Sequence, residues 1–166
     1  MARKHPLLFA VLASCCSLWL WTGDARAQEQ IAVIVSSSEP GINFDVATLR
    51  SIYLKKIYLS AQGQSLIPVN LSPAHPLRQA FSGSIFHMSD AQLRSYWNRR
   101  YFQGISPPYV LGSQQAVVRF VASTPGAIGY VLPCYLEPGV RQVLLLTLPF
   151  PIAGEEDMQC PPAPGS

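Results

Sequence analysis

The chain has 166 residues, 49% of them hydrophobic, with four cysteines and a formal net charge of +3. A chain of that length is expected to form one compact domain. Beyond residue 27 the balance falls to nine basic against eight acidic side chains, too even for the concentrated positive surface that nucleic acid requires.

Residues 1–27 read as a secretory signal. Arg3 and Lys4 form a basic head, Leu7 to Trp21 an apolar run, and Ala25-Arg26-Ala27 places small side chains where a signal peptidase reads. Cleavage is expected between Ala27 and Gln28. The apolar run falls short of the roughly 20 residues that span a bilayer, so no stable membrane span is expected after processing. Leu12-Ala13-Ser14-Cys15 also resembles a lipoprotein box, with Cys15 as the lipidated residue. That lesser alternative would leave SLWLW at the head of the mature chain, where a polar tether belongs.

The first strand is expected over Ile31 to Val35, a β-branched run suited to burial on both faces in a parallel or mixed sheet. Ser36-Ser37-Ser38-Glu39-Pro40-Gly41 supplies turn formers that end it. Asp45 can cap a helix from Val46 to about Tyr53 that places Leu49, Ile52 and Tyr53 on one face. A polar connection, Lys55 to Gln64, turns at Gly63. Leu66 to Val69 reads as a second strand with Pro68 near an edge or bulge, and Asn70 to Ala74 as the loop after it. A helix from Pro76 carries a stripe of Leu77, Phe81 and Ile85. Ser89-Asp90 opens another, in which Leu93, Tyr96 and Trp97 share a face.

After the rigid loop Gly104 to Pro108, Ser113 starts a helix through Val121 that ends before Pro125. Strands are expected over Ala127 to Leu132 and, as a further strand or edge hairpin partner, over Val140 to Leu146. The tail from Glu155 is acidic, then proline-rich. The alternation of strands and helices argues an α/β domain. Cys134 and Cys160 remain after processing; an oxidising compartment favours one disulfide pinning the tail to the domain, with two free thiols as the alternative.

Groups for catalysis are few. Only His75 and His87 remain beyond the signal and no G-x-S-x-G elbow exists, so no enzyme is expected. The cysteines and histidines lack metal-site spacing, and no cofactor is implied. Ser36, Ser37 and Ser38 could offer hydroxyls and amides to an anion at a strand end, or form an ordinary capped turn. His75 and Arg78 lie three apart at a helix start, where an anion could dock; a surface arginine beside a solvent-facing histidine is the plainer reading. Arg99 and Arg100 sit between Trp97 and Tyr101-Phe102, with the aromatics read as core packing and the arginines as its rim.

The order of Phe44 to Leu54 (FDVATLRSIYL), Gly63 to Val69, Ser95 to Phe102 (SYWNRRYF) with Gly104 and Pro107-Pro108, and Val117 to Val131 (VVRFVASTPGAIGYV) resembles phosphate-type periplasmic substrate-binding proteins of ABC importers, in particular their small stand-alone relatives. The resemblance implies a type II periplasmic-binding α/β fold, here reduced to about one lobe with a mixed sheet flanked by helices. It spans most of a domain at residues 28–154, between the signal and a tail at 155–166. It also implies a periplasmic solute-binding protein for phosphate or a similar oxyanion.

Full-length members hold the oxyanion with R-x-x-x-S-G-T. This chain has Leu71, His75, Pro76 and Leu77 at the corresponding positions, so that cradle is absent. Ser72, Arg78 and Phe81 match the pattern of smaller members, which makes Arg78 the expected ligand contact. Lys55 stands where the family has glycine. The expected ligand set is therefore Arg78, Ser72 and His75 with Ser36 to Ser38. The alternative is an envelope structural or protein-interaction domain that has lost its ligand. Pro125, Gly126 and Gly129 in TPGAIGY read as a fold-determining corner.

Overall fold

The structure, a computed structural model, describes residues 29–39, 41–148, 152 and 160–161. The expected signal, the Cys15 box and nearly all of the tail lie outside the described residues.

Among the described residues five strands form one mixed sheet in the order β3-β2-β4-β1-β5. These are β1 (Gln30–Ser36), β2 (Ile67–Leu71), β3 (Tyr109–Leu111), β4 (Ala127–Val131) and β5 (Val140–Thr147). Strands β2, β3 and β4 run parallel, whereas β1 lies antiparallel to both β4 and β5. Burial of Ile31 to Val35 on both faces explains why β1 reads as an unbroken apolar run.

Among the described residues four helices flank the sheet: α1 (Val46–Tyr53), α2 (Pro76–Phe86), α3 (Asp90–Tyr101) and α4 (Gln114–Ser123). Successive strand residues point to opposite faces. Gly129 accordingly meets Val117 and Val121 of α4, while Tyr130 packs with Tyr53 of α1 and Phe81 of α2 on the other side. The phenyl and phenol rings of Phe81 and Tyr130 stack at 3.8 Å, and Tyr53 meets Phe81 edge-on.

Local chemistry sets the helix ends. Asp45 accepts from Thr48 N at 2.7 Å, Ser113 accepts from Ala116 N at 3.2 Å, and Ser89 forms a reciprocal capping box with Gln92. Helix α4 stops at Ser123, and Thr124, immediately before Pro125, takes the extended conformation that a following proline favours.

Three expectations shift. Strand β2 begins at Ile67 and runs to Leu71, two residues into the expected loop. Pro68 fits because Ile67 N donates to Gly126 O on the β4 side, and pairing with β3 starts only at Val69. The missing amide thus faces a locally unpaired edge. Strand β3, unexpected from the sequence, is a three-residue edge whose Tyr109 and Val110 are exposed. Finally, α3 buries no residue fully: Tyr96 and Trp97 are half-buried, but Tyr101 and Phe102 point into solvent at 69% and 88% exposure. Helix α3 thus packs on the rim of the domain, and those last two aromatics are not core.

Lys55 adopts φ 52, keeping the left-handed turn that glycine would favour.

Candidate functional site

In open α/β sheets a ligand crevice opens outside the carboxyl ends of parallel strands, where neighbouring connections leave in opposite directions. That condition is met between β2 and β4. The chain leaves β2 through α2 and α3 towards β3 on one side, and leaves β4 towards β1 and β5 on the other. Ser72 to His75 and the first turn of α2 occupy this point.

Arg78 reaches back over the strand ends. Its Nη1 donates to Leu71 O at 3.3 Å and its Nε to Ser82 Oγ at 3.0 Å. The guanidinium also lies beside the Tyr130 hydroxyl, which accepts from Leu71 N at 3.2 Å and donates to Asn70 Oδ1 at 3.3 Å. Burial pushes the Tyr130 phenol up to about 12 despite the nearby guanidinium. Burial raises the Tyr53 phenol too, while its hydroxyl bridges Val69 O and Ile128 O, joining β2 to β4.

His75 caps α2. Its Nδ1 accepts from Leu77 N at 3.1 Å, which assigns the ring proton to Nε2. The Arg78 and Gln79 amides both reach His75 O, the His75 amide reaches Ser72 O, and Pro76 has none to offer. The backbone donors that could cradle an anion at this helix start are therefore satisfied from within the chain. The charge at this point comes from Arg78.

A groove of about 460 Å³ opens beside Arg78, between α2 and α3. Leu93 and Trp97 give it an apolar wall, and Ser82, Asp90 and Arg94 add polar groups.

The fold aligns with solved structures along much of its length. A protein from Clostridium perfringens, assigned as a phosphate ABC transporter substrate-binding protein and solved with bound phosphate, matches at TM-score 0.58 and 18% identity, over 70% of this chain and 45% of that one. An ABC-type phosphate transport receptor from Vibrio cholerae matches at TM-score 0.57 and 18% identity, over 70% and 46%. PstS from Borrelia burgdorferi matches at 0.50 and 15%, over 65% and 43%. The chain has a periplasmic-binding-protein-like fold. It spans less than half the length of these three structures, in keeping with a reduced type II lobe. No protein-family model matches it, and no curated protein does.

Within this periplasmic-binding-protein-like lobe the expected ligand residues separate into two groups. Ser72, His75 and Arg78 come together. Ser36, Ser37 and Ser38 do not join them, because β1 is antiparallel to β4 and its carboxyl end lies at the amino end of β4. About five strand residues, roughly 16 Å, divide the two groups. Ser36 is buried, with its Oγ 2.8 Å from that of Ser38, and Ser37 N donates to Gly139 O. These groups hold a turn.

Two features were hidden from sequence reasoning. The buried carboxylate of Glu39 accepts from Gly126 N and from Gln64 Nε2, bolting the turn after β1 to the TPGAIGY corner. Tyr130 of the same corner supports Arg78. The corner is built around its glycines: a Cβ on Gly126, at φ +79, would fall 1.9 Å from Ser65 O, and one on Gly129 would fall 2.4 Å from a Val117 methyl.

Cys134 and Cys160 form the expected disulfide, with Cα atoms 5.6 Å apart. Among the described residues no group of three or more His, Cys, Asp or Glu could hold a metal, and no helix is long and apolar enough to cross a membrane.

Proposed function

We propose that the protein is an exported, non-catalytic solute-binding lobe that takes a small oxyanion, phosphate or one like it, at Arg78. The observation that carries this reading is the position of Arg78. A guanidinium is tethered at the topological switch point of a fold shared with phosphate-transport receptors. The disulfide supports an oxidising compartment such as the periplasm, reached through the signal at 1–27. A single lobe leaves one side of the ion in water, so an envelope protein partner would complete the enclosure.

Titration calorimetry of the purified protein with inorganic phosphate tests this. Saturable heat that vanishes in Arg78→Ala is expected. A folded protein giving only dilution heat would remove phosphate binding by the isolated chain. A second reading, an envelope interaction domain without a solute, is favoured by the internally satisfied amides of α2 and by the exposed Tyr101, Phe102 and Tyr109. It predicts that heatless result.

A further inference from the structure

We propose that the groove between α2 and α3 holds the body of the solute, and that the solute is a monocarboxylate with a flat apolar body. This rests on the reading of Arg78 as the charge that meets a solute, and refines its ligand: phosphate meets Arg78 as a bare headgroup and binds more weakly than a carboxylate whose body fills the groove.

The first observation is the supply of donors. With the amides at the α2 start taken by His75 and Ser72, a bare oxyanion at Arg78 would give up hydration for few replacements. Affinity has to come from apolar contact beyond the charged end. The groove offers that contact in Leu93 and the half-buried Trp97. Its volume, about 460 Å³, falls within the roughly 300–1,000 Å³ typical of small organic ligands.

The second observation is the charge count. Arg78 and Arg94 contribute two positive charges to the groove and Asp90 one negative charge, leaving one to neutralise. That suits a single carboxylate, and Asp90 would penalise a second negative charge. Arg94, exposed on α3, makes no hydrogen bond or ion pair with the described residues, so its donors are open to a ligand. Arg78, held by Leu71 and Ser82, is fixed in place, whereas Arg94 can adjust.

Benzoate and acetate share a headgroup and differ in the ring, so the pair isolates the groove. Calorimetry on the whole protein should show benzoate binding at least about tenfold tighter than acetate. Trp97→Leu should bring benzoate down to the acetate level. Arg94→Gln, at an exposed position without partners among the described residues, should fold normally and weaken benzoate several-fold. Benzoate no tighter than acetate, or unaffected by Arg94→Gln, overturns the proposal. If that happens while phosphate binds in an Arg78-dependent way, only the groove assignment falls. If phosphate, acetate and benzoate are all silent, the solute-binding reading falls with it.

Discussion

Tyr130 shows how a single side chain can join parts of the chain that lie far apart in sequence. Its ring stacks on Phe81 while its hydroxyl serves Leu71 N, Asn70 Oδ1 and Arg78. Tyr130→Phe keeps the stack and strands those partners in a buried place, an expected loss of about 1–3 kcal/mol in urea unfolding. The phenol also sets an alkaline limit. Its folded pKa of about 12 lies above the ordinary value of 10.0, so below pH 10 both states keep the proton and stability is unaffected. Between pH 10 and 12 the unfolded chain ionises first and stability falls, on the order of 3 kcal/mol from this group. Tyr53 adds to that fall in the same direction. An unfolding series across this range should show a shallower decline for Tyr130→Phe than for the parent; parallel curves would refute the assignment. The places of Arg78 in the first turn of α2, of Phe81 on its buried stripe and of the two glycines in TPGAIGY were legible in the sequence because each belongs to a local pattern. The roles of Tyr130 and Glu39 were not, since each depends on partners brought in by the sheet.

Helix starts were the most legible elements, since a cap and the amide it satisfies lie within three residues of each other. Ser89 is the clearest case, accepting from Gln92 N while Gln92 Oε1 accepts from Ser89 N at 2.7 Å. Because α3 buries no residue fully, its start depends heavily on this box. Ser89→Ala should cost about 1 kcal/mol and release amide protection in the first turn of α3, seen by hydrogen exchange. Unchanged exchange there would show that packing alone holds the helix. Strands were legible in place but not in direction. An apolar run such as Ile31 to Val35 reads alike from either end, and only its pairing shows that β1 opposes its neighbours. Hence Ser36 to Ser38 could be grouped on paper with Ser72 and Arg78, although the fold sets them at opposite ends of the sheet. Strand β3 escaped notice because three exposed or half-exposed residues after two prolines carry no alternation.

Taken whole, the molecule is one lobe closed on itself by a covalent link. Cys134 and Cys160 are 26 residues apart in sequence, and closing a loop of that length is worth about 3.5 kcal/mol in the chain-entropy account. Cys160→Ser should lower the urea midpoint accordingly, and added thiol should do the same to the parent protein while leaving the variant unmoved. A variant as stable as the parent would mean that the bond only fastens the tail. The position of β1 bears on timing. The first strand of the chain is wedged between β4 and β5, whose pairing residues lie roughly a hundred positions downstream. Its hydrogen bonds must wait until β4 and β5 are present. A chain threaded through a membrane from its amino end would thus keep this sheet open until β5 emerged, and then close it late and slowly, with the seam around β1 sealed at the end.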